Sequence, residues 1–484
     1  MSLRRLSIRM GYKYLMQSIA SGDGPVDVDR TNLERYYHAT GTPPGRFLGR
    51  GLAGLNNGAG VAPETIVEDE HLRRMLTKLA DPLTGERLIG RRLQANSVGS
   101  FDLTFSPSKS VSTAWALADS PTRRAIYDCH QVAIAEVLAY ADEHVFRVRA
   151  GKDGVVSDRV EGVVAVAFTH FDSRAGDPQL HDHVVVMNRA QSARDGQWRA
   201  LDSRAIFASA VELSELHNGI LADLLSSRLG FDWEGRQRRH SSAPKWEIKG
   251  VSTDLMAAFS QRSEKIEAAK NNLILKFEAD RRRSPTGVEV IRLRQIAARS
   301  SWPAKHHHGL EDLTTEWRGR AAQVLGQSPD GLDAYVSALV RWPQSVDVAI
   351  FTPEVIASLA NEALERVAAK RATFTASNLW AEGARLLHGT HFASAQDRID
   401  ILRVLSEAAV GQAVLLNAPD LRSAPEVLAR ESATVAPVKA KGGRPRIHAD
   451  NAARSRAYRR RRKTGPVTAR TVTAQVLDGE GYLS

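Results

Sequence analysis

The sequence contains a single cysteine, Cys129, among 484 residues. One thiol excludes an intramolecular disulfide framework and is typical of a protein that works in the reducing cytoplasm. No apolar run approaches the roughly 18 residues that span a bilayer. The N-terminal stretch MSLRRLSIRMGYKYLMQSIASGDG is charged and interrupted, whereas a signal peptide is continuously apolar. We therefore expect a cytoplasmic protein without membrane insertion.

Nucleotide-binding loops and internal repeats are also absent from the sequence. No segment fits G-x-x-x-x-G-K-[ST], the pattern of the loop that binds nucleotide phosphates in ATP-driven motors, so we expect no motor of that type. Hydrophobic residues make up 43% of the chain, which is enough to bury a substantial core.

Positive charge is concentrated in one C-terminal segment. Residues 439–463 hold eleven Lys and Arg and one acid, so they carry +10 of the net charge of +11. Each basic side chain that neutralises a phosphate releases counterions, so this segment is suited to DNA, with Arg459, Arg460 and Arg461 in its densest part. The alternative is a solvated end without a specific partner.

Apolar spacing predicts an α+β fold. The stretches FDLTF, GVVAVAFTHF and HDHVVVMNR predict strands, and the spacing in residues 209–230 and 255–275 predicts helices. We expect a main domain over residues 1–320, with a central antiparallel sheet flanked by helices. A helical C-terminal extension over residues 321–425 and a basic, largely disordered tail over 426–484, with one short helix, should follow.

Three histidines lie close together in the segment THFDSRAGDPQLHDHVVVMN. Side chains alternate along a strand, so His181 and His183 point to one side while Asp182 points to the other. His170 ends the run VVAVAFTH, and the loop with Gly and Pro that follows predicts adjacent antiparallel strands with His170 beside the pair. Three converging imidazoles form a metal site with open positions, whereas a two-histidine, one-carboxylate iron site would require His-x-Asp.

A second polar group lies upstream in GSFDLTFSPSKSVSTAW. Asp102 and Thr104 share one face of the predicted strand, and the alternating Phe and Leu side chains occupy the other. Asp102 is placed to orient a metal-binding histidine or to accept a proton from a nucleophile. The stretch SPSKSVS with Lys109 is suited to phosphate contact at a helix N-terminus, or it is an N-cap cluster with a surface lysine.

Tyrosine is enriched near the N-terminus, where Tyr12, Tyr14, Tyr36 and Tyr37 lie. A tyrosine beside a metal-held phosphate is a competent nucleophile for phosphoryl transfer, although aromatic residues near a terminus can also stabilise a core or hinge. Tyr14 starts a predicted helix and Tyr12 precedes it by two residues. We rank these two first without a preference between them, and Tyr36 and Tyr37 then form a second pair or stack on bases.

Together, these tyrosines, FDLTFSPSKSVS and THFDSRAGDPQLHDHVVVMN resemble the TrwC/TraI-type conjugative relaxases, the MobF class of the HUH endonuclease superfamily. The resemblance covers residues 8–320 and continues through GQWRALDSRAIF and LSELHNGILADLL. It implies a circularly permuted HUH relaxase palm around the antiparallel sheet. It also implies that His170, His181 and His183 bind one divalent metal ion, Mg²⁺ or Mn²⁺ with Zn²⁺ as the alternative, and that Asp102 supports this site.

The implied function is that of a site- and strand-specific endonuclease and strand transferase. Such an enzyme nicks plasmid origin-of-transfer DNA through a 5′-phosphotyrosyl intermediate. The implied partners are single-stranded DNA, the origin-of-transfer hairpin, a type IV secretion coupling protein and accessory DNA-binding proteins. Two features depart from the family pattern: the tyrosine pairs are YKY and a distant YY, and the helicase region that usually follows is missing.

Two other functions fit parts of this pattern. A rolling-circle replication initiator or transposase has the same metal site, but its tyrosine usually follows the histidines, whereas here the tyrosines precede them. A catalytically silent DNA-binding mobilisation accessory would keep the fold without the chemistry.

Overall fold

The computed structural model describes residues 1–9, 11–14, 44–89, 93–94, 96–151, 156–237, 244–300 and 309–413. Its strands are β1 (Ser2–Ser7), β2 (Arg46–Leu48), β3 (Val98–Phe105), β4 (Arg147–Ala150), β5 (Val156–Asp172), β6 (Pro178–Ser192), β7 (Trp198–Arg199), β8 (Trp233–Arg236) and β9 (Lys245–Ile248). Its helices are α1 (Gly11–Tyr14), α2 (Asp69–Arg73), α3 (Lys109–Leu117), α4 (Ser120–His144), α5 (Ser203–Ala208), α6 (Ala210–Leu229), α7 (Thr253–Ala258), α8 (Gln261–Arg281), α9 (Gly287–Ser300), α10 (Leu310–Leu325), α11 (Leu332–Ser337), α12 (Pro353–Ala368), α13 (Ala376–Leu386) and α14 (Ala395–Gln412).

The central sheet is antiparallel, with the strand order β1-β3-β6-β5-β2, and β4 and β7 pair with β5 and β6. The two long strands β5 and β6 form a hairpin whose turn contains Gly176 at a φ of +75°, a conformation that residues with a side chain rarely adopt. The three predicted strand stretches lie in β3, β5 and β6. The predicted central antiparallel sheet flanked by helices is therefore confirmed.

Alternating side chains form a separate core on each face of this sheet. On one face, Phe101 and Leu103 of β3 pack with the apolar residues of α3, α4 and α6, and we call this the helical-face core. The other face carries Val166 of β5 and Val185 of β6, and we call its cluster the site-face core. The site-face core consists of Leu6, Phe47, Leu52, Leu55, Val67, Leu72, Met75, Leu76, Leu79, Val164, Val166, Phe168, Val185 and Met187.

One predicted helix is a single element and another is divided. The helix predicted over residues 209–230 is α6, which ends at Gly230 with a φ of +69°. Residues 255–275 are helical as predicted, but they belong to two helices, because the chain breaks at Phe259 and Ser260 between α7 and α8. At this break Phe259 is fully buried, and the guanidinium of Arg320 lies 5.1 Å from its ring centroid.

The helices beyond α10 pack against the main domain. The predicted division at residue 320 lies inside α10, and buried residues on both sides of it, such as Trp317 and Phe392, belong to the helical-face core. The division into a main domain and an extension stays a prediction. The basic tail and its short helix lie outside the described residues. Among the described helices, none has both the length and the apolar character needed to cross a membrane.

Candidate metal centre

The structure brings the three predicted histidines together at one end of the β5–β6 hairpin. His170 pairs directly with His181 across the two strands, and His183 lies two residues further along β6 on the same face. The ring centroids are 5.1 Å apart for His170 and His181, 5.3 Å for His170 and His183, and 5.4 Å for His181 and His183. One nitrogen of each ring lies within 4.8 Å of the others. This arrangement is the one that strand alternation predicts.

Neighbouring acceptors orient two of these rings. Nδ1 of His183 lies 2.9 Å from Oδ1 and 3.1 Å from Oδ2 of Asp102, a carboxylate that is itself buried. Thr104 Oγ1 lies 3.2 Å from the same nitrogen. Nδ1 of His181 lies 2.8 Å from the backbone carbonyl of Gln179. When Nδ1 carries the proton and donates these hydrogen bonds, Nε2 keeps a free lone pair. The rings of His181 and His183 therefore each present Nε2 to the cluster as a ligand atom.

This donor set fits a divalent metal ion. Histidine nitrogens are common metal ligands, and hydrogen bonds to their second nitrogens fix the ring orientation and raise the basicity of the ligand. His170 is buried, whereas His181 and His183 are half-buried, so one side of the cluster faces the solvent. Three protein ligands with an open side leave room for water or a phosphate oxygen.

Behind the histidines lies a buried polar network that the sequence did not predict. Asp182 points into the helical face and is fully buried; its Oδ1 accepts a 2.6 Å hydrogen bond from Thr169 Oγ1. Its Oδ2 accepts a 3.1 Å hydrogen bond from Gln131 Nε2 and lies 3.0 Å from His130 Nε2. His130 Nδ1 in turn lies 3.1 Å from Nε2 of His217 in α6. The signal available in the sequence was a charged residue on the side of β6 that faces the core.

Of the four predicted tyrosines, Tyr12 alone has a side chain among the described residues. Its hydroxyl donates a 2.6 Å hydrogen bond to Oδ1 of Asp69, at the start of α2. Burial, followed by this hydrogen bond, raises the pKa of the Tyr12 phenol above its usual value. Tyr14 ends α1, and its side chain lies outside the described residues, as do Tyr36 and Tyr37. The Tyr12 side chain is therefore held in its protonated form, with its hydroxyl hydrogen-bonded to the Asp69 carboxylate.

The structure does not bring Lys109 to the histidines. Lys109 starts α3, which packs on the helical face, and its Nζ donates a 2.8 Å hydrogen bond to the carbonyl of Pro178. Burial lowers the pKa of this amine to about 8, against the opposing effect of Asp177. This bond uses one of the three N–H donors of the ammonium group. The predicted phosphate contact of Lys109 stays a prediction. Arg459, Arg460 and Arg461 lie outside the described residues.

Comparisons with known proteins agree with this geometry. Residues 8–324 match the family model of the TrwC relaxase. The multifunctional conjugation protein TraI of Escherichia coli is 29% identical over 249 residues, which are 49% of this chain and 12% of TraI. TraI of Escherichia coli strain K12 is 28% identical over 264 residues, which are 52% of this chain and 13% of that protein. This chain therefore spans a small part of the length of these relatives.

A solved structure also resembles the fold. The conjugative relaxase TrwC in complex with oriT DNA, in a copper-bound structure, is 25% identical, with a TM-score of 0.50 over 68% of this chain and 100% of that chain. The residues that match the family model contain every strand of the central sheet except β1, together with all three histidines, Asp102 and Asp182. The predicted resemblance is confirmed, and this chain belongs to the TrwC relaxase family.

Proposed function

We propose that this protein is a conjugative relaxase, a metal-dependent enzyme that nicks one strand of origin-of-transfer DNA and transfers it. The observation that carries the proposal is the cluster of three imidazoles, with Asp102 behind His183, in a chain of the TrwC relaxase family. The complex of TrwC with oriT DNA in a copper-bound structure supports both the DNA substrate and the metal.

We propose that His170, His181 and His183 hold one divalent metal ion. When bound, this ion would polarise the non-bridging oxygens of the scissile phosphate. Imidazole ligands suit Zn²⁺, whereas Mg²⁺ and Mn²⁺ favour oxygen ligands, which phosphate and water would supply at the open side. Asp102 keeps the His183 ring in the orientation that presents Nε2.

The reaction we propose is an in-line displacement by a tyrosine. The phenolic oxygen forms a bond to phosphorus and gives up its proton, while the bond from phosphorus to the 3′ oxygen breaks and that oxygen takes up a proton. One phosphoester replaces another, so rejoining the strand requires no ATP. Tyr14 is the better nucleophile of the first pair, because the Tyr12 hydroxyl is bound to Asp69.

The proposed partners follow from the reaction and from the resemblance to conjugative relaxases. We propose that the protein acts in the cytoplasm on single-stranded DNA beside the origin-of-transfer hairpin. The basic tail would add phosphate contacts. Lys109 would add one more through the N–H donors that its bond to Pro178 leaves. A type IV secretion coupling protein and accessory DNA-binding proteins complete the proposed set of partners.

A nicking assay on supercoiled plasmid that carries the cognate origin tests this function. We expect His181→Ala and His183→Ala to abolish metal-dependent nicking and to keep single-strand binding, because phosphate contacts elsewhere supply most of the affinity. The matched control is His144→Ala at the end of α4, whose half-exposed ring lies outside the cluster and should be dispensable.

The same assay distinguishes the alternatives. EDTA should stop nicking by the wild type, and added Mg²⁺, Mn²⁺ or Zn²⁺ shows which ion restores it. A plasmid that stays closed under every condition while DNA binding persists would indicate a silent DNA-binding accessory. Full nicking by the double variant His181→Ala, His183→Ala would contradict the proposed metal site.

A further inference from the structure

We propose that Asp182 is a positioning residue for the metal centre. It lies between His181 and His183 on β6, and its side chain attaches this part of the strand to helix α4 on the opposite face of the sheet. This inference rests on the proposed metal-dependent function. It assigns a role to the middle residue of the His-Asp-His triplet, whose side chain points away from the three imidazoles.

The contacts of Asp182 come from two different elements around it. Thr169 lies directly opposite on β5 and donates to Oδ1, while Gln131 of α4 donates to Oδ2. His130 Nε2, one residue earlier in α4, lies 3.0 Å from Oδ2. The carboxylate is therefore bound from within the sheet and from the helical layer.

A third element, β2, lies close to the same carboxylate. Arg46 Nη2 lies 4.0 Å from Oδ1 of Asp182, and the same guanidinium group donates to Gln131 Oε1 and, over 3.3 Å, to the hydroxyl of Tyr127. Asp182 thus lies in a buried network with complementary charge. A buried carboxylate needs such partners, because an unpaired charge in the core is costly.

The helical side of this network is itself held in place. His130 and His217 are both fully buried, and their rings meet edge to face with centroids 5.1 Å apart. His217 also lies 5.2 Å from the ring of Phe105, at the end of β3 beside Asp182. The contact between His130 and His217 joins α4 to α6, so His130 has little freedom to follow a displaced strand.

Asp182 is adjacent in sequence to the two proposed metal ligands on β6, and through them this network affects metal binding. Each ligand is one residue away, so a change in the height or tilt of the strand at Asp182 moves His181 and His183 together. Metal sites require their ligands to be held within roughly 0.5 Å of the productive geometry. Loss of residues that orient ligands from behind typically weakens metal binding about 10- to 100-fold.

The test compares Asp182→Asn with Glu212→Gln in the full chain. Glu212 of α6 is also a buried carboxylate that binds α4, where its Oε1 accepts a 2.6 Å hydrogen bond from Tyr140, but it does not lie on β6. Both variants remove a buried charge at nearly constant shape. We would measure Zn²⁺ affinity by calorimetry, Mn²⁺ binding by electron paramagnetic resonance, and the melting temperature of each.

We expect Asp182→Asn to weaken metal binding about 10- to 100-fold. Glu212→Gln should lower the melting temperature to a similar degree and leave metal affinity within twofold of the wild type. Nicking by Asp182→Asn should need more metal to reach half of its maximal rate. Metal affinity of Asp182→Asn within twofold of the wild type would overturn the inference.

A pair of His130 variants keeps the inference testable if Asp182→Asn fails to fold. His130→Gln retains a donor toward Asp182 and should keep most of the metal affinity, whereas His130→Ala should lose it. Equal affinity in the two variants would count against the proposed role. If the wild type binds no metal and the histidine variants nick normally, the proposed function itself fails. That outcome differs from an Asp182→Asn variant with normal metal affinity, which would contradict only the role of Asp182.

Discussion

The buried ion pair between Arg398 and Asp223 tests whether the helices beyond the family match stabilise the main domain. Arg398 lies on α14 and Asp223 on α6, with distances of 2.6 Å from Nε to Oδ2 and 2.8 Å from Nη2 to Oδ1. Arg398 is 1% exposed and Asp223 is 4% exposed. Nη2 also donates to the carbonyl of Thr390, and the guanidinium lies 4.7 Å from the ring centroid of Phe392.

Replacing Arg398 with Met should cost far more than a surface ion pair contributes. It leaves the Asp223 carboxylate buried, with the backbone N–H of Phe392 as a remaining donor at 3.0 Å. Removing one partner of a buried pair costs about 3–5 kcal/mol, because the other charge stays in the core. Replacing both residues, as in Asp223→Leu with Arg398→Met, should recover most of this loss, since an apolar pair leaves no buried charge.

Urea unfolding, followed by tryptophan fluorescence, measures these changes as free energies of unfolding. The matched control is Arg366→Met on α12, whose 2.6 Å ion pair with Glu362 is 44% and 48% exposed and should contribute only about 0.3–0.5 kcal/mol. If Arg398→Met costs no more than this control, the reasoning is wrong and α14 adds little to the stability of α6. A double variant as unstable as the single variant would refute the charge argument.

Two further predictions concern the nucleophile and the pH dependence of stability. Peptide mapping of the trapped DNA adduct should identify Tyr14, and Tyr14→Phe should abolish nicking while Tyr12→Phe keeps part of it; an adduct on Tyr36 or Tyr37 would reverse this ranking. Burial raises the pKa of Asp142 to about 6 in the folded protein, above the roughly 3.9 of an unfolded chain. The folded state therefore binds more protons between these values, and stability falls as pH rises through them. Asp142→Asn should gain up to about 3 kcal/mol relative to the wild type between pH 4 and pH 7; a constant difference in urea unfolding across that range would contradict this.

The cluster of three histidines could be predicted because its geometry is local to one hairpin. Alternation along a strand fixes the shared face of His181 and His183, and a short loop with Gly and Pro brings His170 opposite His181. The polar face of β3 could also be predicted from the sequence, since Asp102 alternates with buried apolar residues. These relations need only the period of a strand and the pairing of its neighbours.

Contacts between residues distant in sequence could not be predicted in the same way. The helix period of α4 does not reveal that His130 and Gln131 reach Asp182, because that contact depends on how the helix packs across the sheet. Lys109 has the appearance of a surface lysine, yet the start of β6 supplies a carbonyl that binds it. The break between α7 and α8 lies at Phe259, a fully buried residue, and the local apolar spacing does not distinguish such a break from a continuous helix.

The triplet of His181, Asp182 and His183 explains why the centre is built on a strand. In a strand, neighbouring residues face opposite sides, so one short segment can present two imidazoles on one face of the sheet and one carboxylate to the core on the other. On a helix, three consecutive residues would point about 100° apart, and the ligands could not share a face in this way. The proposed metal site and its proposed support by Asp182 therefore depend on the same backbone segment. A substitution on the core side that displaces this segment should therefore change metal affinity, although the substituted residue does not contact the metal.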